Sequence, residues 1–179
     1  MATVTQKYSF LLGVMPSFFT VGGGTGANYP WEITTAVAMT GSYALRSTNY
    51  NVNSSFAWVK ATLPRTCQGG YSFYKYGASE NNYDLFRFYI DSTKTNEDSG
   101  SKKSWMVVSS TMSIAKGVVL QWQYYKDSSQ PYDIDRWYID DVALSWTSNV
   151  GKINEATHNA TFKKNGLDKI LIKSYNGLS

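Results

Sequence analysis

Apolar and polar residues alternate along most of this chain with a period of two, and no long run carries the 3.6-residue period of an amphipathic helix. The clearest case is YDLFRFYID at 83–91, where Phe86, Phe88 and Ile90 fall on one face and Leu85, Arg87 and Tyr89 on the other. GVVLQWQYYK at 117–126 repeats the pattern, with Leu120, Trp122 and Tyr124 against Gln121, Gln123 and Tyr125. WEITTAV, SYALRS, SFAWVKATL, GYSFYKY, SWMVVSS and RWYIDDVALSW read as further strands. Turn residues separate them: Gly22-Gly23-Gly24, Thr40-Gly41, Gly69-Gly70, Asp98-Ser99-Gly100, Lys116-Gly117 and Asp127-Ser128-Ser129.

Eight or more short strands at this spacing predict an all-β protein, a two-sheet antiparallel jelly-roll sandwich over residues 1–146. Several strands carry large aromatics on both faces. One face fills a core, and part of the other is expected to cover a concave surface or an interface. After Trp146 the pattern weakens. Residues 147–179 read as a linker to about 159 and then one or two short strands. Their apolar positions Phe162, Ile170, Ile172 and Tyr175 form a candidate assembly arm, too small to bury a core alone. Asn165-Gly166 and Asn176-Gly177 are tight-turn dipeptides there.

Composition narrows the function. Of 179 residues only 17% are charged while 16% are aromatic, which points away from disorder and towards an all-β domain with a polar, uncharged surface. The tail from 147 holds five of the 17 Lys/Arg and two of the 13 Asp/Glu, so it is basic and the body is near neutral. No dense basic patch predicts nucleic-acid binding. FLLGVM is too short to cross a membrane or to serve as a secretory signal, so with Met1 as the start, synthesis in the cytosol without general export is expected. A single cysteine, Cys67, allows no intrachain disulfide, and one Cys with one His builds no Cys/His metal site.

Catalytic patterns are lacking. The one histidine, His158, lies in the tail, so a His-dependent nucleophilic site is not expected. VGGGTGANYP precedes no helical pattern and reads as a flexible loop rather than a phosphate cradle. Asp133 and Asp135 have the spacing of paired carboxylates but sit in a turn-like stretch. Glu80 and Asp84 flank a loop. Asp140 and Asp141 are adjacent in DRWYIDDVALSW, so in a regular strand they point to opposite faces and cannot act on one bond. By parity Asp140 goes with Val142, Leu144 and Trp146. If that side is the core, Asp140 needs a partner, for which Arg46 and Arg87 are candidates.

Four segments in order, PWEITTAVAMTGSYALRS, GYSFYKYGASENNYDLFRFYID, SWMVVSSTMSIAKGVVLQWQYYKD and DRWYIDDVAL, resemble the MAM-like and cleaved-adhesin-like jelly-roll domains over residues 30–146. The resemblance implies a concanavalin-like jelly roll used for adhesion and for carbohydrate or protein binding. It also implies that Asp140 and Asp141 stand where the family places part of a structural calcium site. The other half would come from SFLLGVMPSFF, where Ser9, Leu11 and Leu12 replace the expected carboxylates, so a calcium site is weakened and no cofactor is expected. FKKNGLDKILIKSYNG is similar to strand-and-turn segments of phage structural proteins.

Two functional expectations follow, neither enzymatic. In the first, the protein is a bacteriophage virion component, a capsid decoration or tail-fibre accessory protein made in the host cytoplasm. Its partners are other virion proteins or further copies of itself. In the second, it is a carbohydrate-binding or adhesin module at a bacterial surface or secreted. Sugar rings stack on aromatic faces, so Trp58, Tyr76, Tyr83, Tyr125 and Tyr132, with Tyr50, are the glycan-contact candidates, and host-surface glycans are the expected ligands.

Overall fold

The computed structural model describes residues 2–8, 10, 13–129 and 132–148. Among them the chain is all-β: β1 (Ala2–Tyr8), β2 (Phe19–Gly24), β3 (Glu32–Thr34), β4 (Ala44–Arg46), β5 (Ser55–Thr62), β6 (Cys67–Ala78), β7 (Leu85–Ile90), β8 (Thr93–Asp98), β9 (Ser101–Ser110), β10 (Val119–Lys126) and β11 (Arg136–Ser148). They form two antiparallel sheets. One runs β3-β4-β11-β6-β9, with β1 also paired to β11; the other runs β2-β5-β10-β7-β8. The two-sheet sandwich read from the alternation is what the chain builds. The arm positions Phe162, Ile170, Ile172 and Tyr175, and His158, lie outside the described residues.

The alternation is borne out where it was sharpest. Phe86, Phe88, Leu120, Trp122 and Tyr124 are all fully buried between the sheets. Side-chain size is matched across strands. Trp122 pairs with Val59, Leu120 with Ala61 and Tyr124 with Ala57, so large residues on β10 lie beside small ones on β5. Trp122 stacks on Phe19 (centroids 6.0 Å, 9° between planes) and meets Phe73 of the other sheet edge-on at 5.5 Å. Burying side chains of this kind contributes roughly 2–3 kcal/mol each before entropy is counted.

Three local readings are corrected. Val21–Gly24 is not a loop but the end of β2, in register with β5. The glycines are there because a neighbour needs the space: a Cβ on Gly22 would overlap the Trp58 indole, and one on Gly23 would lie 2.6 Å from the Tyr29 carbonyl oxygen. Gly69-Gly70 does not end a strand; it lies inside β6, where Gly70 takes φ +86°. RWYIDDVALSW, read as a strand to Trp146, runs on as β11 to Ser148.

The parity of β11 is corrected as well. Asp140 pairs with Tyr74 but Ala143 pairs with Ser72, so two residues, Asp141 and Val142, oppose one, Phe73. This is a β-bulge, with Asp141 at φ +48°. The bulge flips the alternation: Trp137 and Ile139 face the core before it, Val142, Leu144 and Trp146 after it. Asp140 therefore does not share a face with Val142.

Candidate functional site

The paired aspartates fasten a loop. Met39 N–H and Thr40 N–H donate to Asp140 Oδ2 at 2.9 and 3.2 Å, and Asp141 N–H donates to Asp140 Oδ1 at 2.7 Å. Thr40 Oγ1 donates to Asp141 Oδ1 at 2.7 Å. The positive φ at Asp141 turns both carboxylates toward Thr40, against the expectation that they point apart. The proposed arginine partners are engaged elsewhere: Arg46 with Glu32 at 2.6 Å and Arg87 with Glu97 at 2.9 Å. Burial pushes the Asp140 carboxyl above the usual range, partly offset by its three backbone N–H donors.

This donor set does not fit calcium. Both Asp140 oxygens already accept N–H groups, the nearest cation to Asp141 is the Lys7 ammonium at 3.9 Å, and among the described residues no three acidic, His or Cys side chains converge. The pair anchors the β3–β4 connection. Asp140→Ala strands three N–H groups, and unfolding free energy is expected to fall by about 2 kcal/mol in urea denaturation.

A second ionic cluster was not legible in the sequence. Lys126, fully buried at the end of β10, donates to Asp84 Oδ2 at 2.9 Å and to Asp135 Oδ1. Tyr124 Oη also donates to Asp135 Oδ1, at 2.6 Å, and Asn51 N–H donates to Asp135 Oδ2 at 2.7 Å. Burial raises the Asp84 carboxyl, with Lys126 opposing. Asp133 does not join; it pairs with Lys103 at 2.8 Å. The carboxylates once paired by spacing serve separate structural contacts.

The aromatic candidates divide among three places. Tyr76 lies on the outer side of the β6-containing sheet, near Trp105 (5.5 Å) and Tyr138 (5.7 Å). Tyr83 and Tyr132 project from loops and are more than half exposed; Tyr132 lines an open polar cleft with Glu80, Asn81, Ser99 and Lys102. Tyr50 lies under the Arg136 guanidinium at 4.2 Å. Only Trp58 and Tyr125 share a surface, the outer face of the β2-β5-β10-β7-β8 sheet.

That face is ordered in rows. One row runs Gly22, Trp58, Gln123, Arg87, Glu97; the next runs Thr20, Lys60, Gln121, Tyr89, Lys94. A third holds Gly24, Phe56, Tyr125 and Leu85. The Trp58 indole lies against Gly22, whose missing side chain lets a flat ring rest on the sheet. Lys60 Nζ sits 4.5 Å from the Trp58 ring centroid, and the Arg87 guanidinium 4.8 Å from that of Tyr125. Arg87 and Lys94 (2.7 Å) share Glu97, holding its carboxyl below the usual range. Chemically this is a flat aromatic surface edged by planar amides and cations. It offers an apolar plane together with both donors and acceptors. Gln121, Gln123 and Arg87 were visible in the sequence as the polar side of their strands, but not as neighbours of Trp58.

No family model matches the chain, and no curated protein matches it by sequence. Solved structures match its fold. The K2 cleaved adhesin domain of Lys-gingipain superposes with a TM-score of 0.57 at 14% identity, covering 80% of this chain and 100% of that one. The K1 cleaved adhesin domain of Lys-gingipain from Porphyromonas gingivalis W83 gives 0.55 at 14% identity, covering 81% and 99%. The CBM22-1 xylan-binding domain from Paenibacillus barcinonensis Xyn10C gives 0.51 at 12% identity, covering 80% and 94%. The fold is therefore the jelly-roll sandwich of adhesin and carbohydrate-binding modules, as the ordered sequence segments implied for the adhesin part.

Proposed function

We propose that the protein is a non-catalytic, adhesin-like carbohydrate-binding module whose site is the outer face of the β2-β5-β10-β7-β8 sheet. One observation carries the reading: the Trp58 indole is laid over Gly22 and flanked by Gln123, Lys60 and, further along its row, Arg87. The apolar face of a pyranose packs on such a ring while its equatorial hydroxyls meet amide and guanidinium groups at the edge. The fold neighbours named above, two adhesin domains and one xylan-binding domain, support the reading by analogy of fold.

The bacteriophage reading has no comparable support. Its assembly arm lies outside the described residues, and none of those neighbours is a virion protein. Glycan binding is compatible with display on a virion or on a bacterial surface.

The test is affinity electrophoresis and calorimetry of the full chain against a panel of soluble polysaccharides. Trp58→Ala is expected to weaken binding to the retained polymer by about 30-fold or more, as for an aromatic anchor, with an unchanged melting temperature. Equal affinity of wild type and variant would sink the assignment of this face.

A further inference from the structure

The charges on this face are not balanced in the way they are elsewhere on the sandwich. On the other sheet Arg46 meets Glu32 and Lys103 meets Asp133, and Lys75 and Lys102 of that sheet meet Asp98, which ends β8 on the row of the buried Phe86 and away from the candidate face. On the candidate face three cations, Lys60, Arg87 and Lys94, stand against one carboxylate, Glu97, which Arg87 and Lys94 already share. The acids at the two ends of the face are engaged: Asp91 Oδ1 accepts the Val119 N–H at 2.9 Å, and Asp127 Oδ1 accepts the Ser129 N–H at 2.7 Å. Lys60 has no acidic partner among the described residues and rests on Trp58 alone.

Its neighbours are donors. Thr20 lies directly across the ladder on one side and Gln121 on the other, so hydroxyl, ammonium and amide form one short row. That row runs beside the Trp58 row, one same-face step away, about 7 Å along the strands. A sugar ring stacked on Trp58 would displace the Lys60 ammonium from the indole and carry a substituent past Thr20, Lys60 and Gln121, each of which has a donor to offer. Carboxylate and sulfate oxygens satisfy such donors with charge assistance, and a neutral hydroxymethyl group leaves the ammonium uncompensated.

Building on the glycan-binding reading above, we propose that the face selects an anionic glycan, with the charged substituent held by Thr20, Lys60 and Gln121 and its ring by Trp58. From Lys60 to Lys94 the row crosses four strands, about 14 Å, enough for several sugar units rather than one. The partner is an acidic polysaccharide, not a neutral one.

The experiment titrates the full chain with polygalacturonate, dextran sulfate and neutral xylan, at low and at 0.5 M salt, using wild type, Lys60→Gln, Trp58→Ala and Lys103→Gln. An acidic polymer is expected to bind at least tenfold more tightly than xylan, less so at high salt. Lys60→Gln is expected to erase that preference without lowering the melting temperature, since Gln keeps much of the stem. Lys103→Gln, on the other sheet, is expected to leave it intact. Comparing polygalacturonate with dextran sulfate separates carboxylate from sulfate recognition, and tight binding to either supports the proposal. Xylan binding that needs Trp58 but ignores Lys60 would overturn the anionic preference and leave the glycan site standing. Binding to both polyanions that ignores Trp58 would also overturn it, as unspecific charge attraction. Failure of all three polymers to bind would bring down the glycan reading itself.

Discussion

Replacing Lys126 with alanine is expected to cost about 3–5 kcal/mol of unfolding free energy, the largest loss expected from removing a single charge in this fold. The ammonium is fully buried and joins Asp84, just before β7, to Asp135, just before β11. Without it two buried carboxylates face each other with only hydrogen-bond donors for company, Asp127 N–H on Asp84 and Tyr124 Oη and Asn51 N–H on Asp135. The penalty is that of stranded charge, and not the net worth of the ion cluster, so it should be reversible by chemistry. Lys126→Met combined with Asp84→Asn and Asp135→Asn removes all three charges and is expected to recover most of the loss.

The pH dependence has a definite sign. Burial already raises the Asp84 carboxyl in the folded state despite Lys126, and removing Lys126 raises it further. A carboxyl with a raised folded pKa contributes stability that is present below its unfolded pKa and lost as pH rises through the folded one. Lys126→Ala should therefore regain stability on acidification from pH 7 toward pH 4, relative to wild type. Urea denaturation across that range checks it; a pH-independent difference would mean that the loss comes from packing and not from charge.

What the sequence disclosed and what it hid follow from the range of the signals involved. Alternation is local, so β7 and β10 were legible from Phe86, Phe88, Leu120 and Trp122 alone. β8 was not, because TKTNED is an edge strand with no apolar alternation to betray it. The glycines of β2 read as a loop because their cause is not in their own segment. They accommodate Phe56 and Trp58, which only the β2–β5 register brings over them. The parity of Asp140 failed for a different reason: one residue in a left-handed conformation, Asp141, resets the face of everything after it, and nothing in Asp-Asp announces a bulge. The candidate site was half legible. Tyr125 stood out as an aromatic on the polar side of its strand, and Trp58 as a candidate stacking ring. Their separation from Tyr76, Tyr83 and Tyr132, and their company with Gln121, Gln123, Lys60 and Arg87, depend on strand order, which a one-dimensional pattern does not contain. Lys126, Asp84 and Asp135 come together for the same reason.

If the proposed face binds glycan, Gly22→Ala is expected to weaken that binding as much as Trp58→Ala, although it adds a single methyl group to a residue beneath the ring. A Cβ at position 22 would overlap Trp58 Cζ2 and lie 2.8 Å from Cε2. The indole is a rigid plate and cannot yield by bending, so it must rotate off the sheet, and the stacking surface goes with it. The stability change argues the same mechanism. In a strand, alanine normally improves on glycine by up to about 1 kcal/mol, because the unfolded chain loses freedom. Here the clash should reverse that sign and cost about 1–3 kcal/mol, the range of overpacking. The reversal depends entirely on the indole, which makes a double-mutant cycle decisive. In the Trp58→Ala background the indole atoms that the methyl meets are gone, and Gly22→Ala should become neutral or stabilising. If Gly22→Ala costs the same with and without Trp58, the glycine serves the backbone and not the ring, and the flat platform is not what position 22 maintains. If the cycle shows the coupling but Gly22→Ala still binds polysaccharide, Trp58 is displaced without consequence and the site lies on another face of the sandwich.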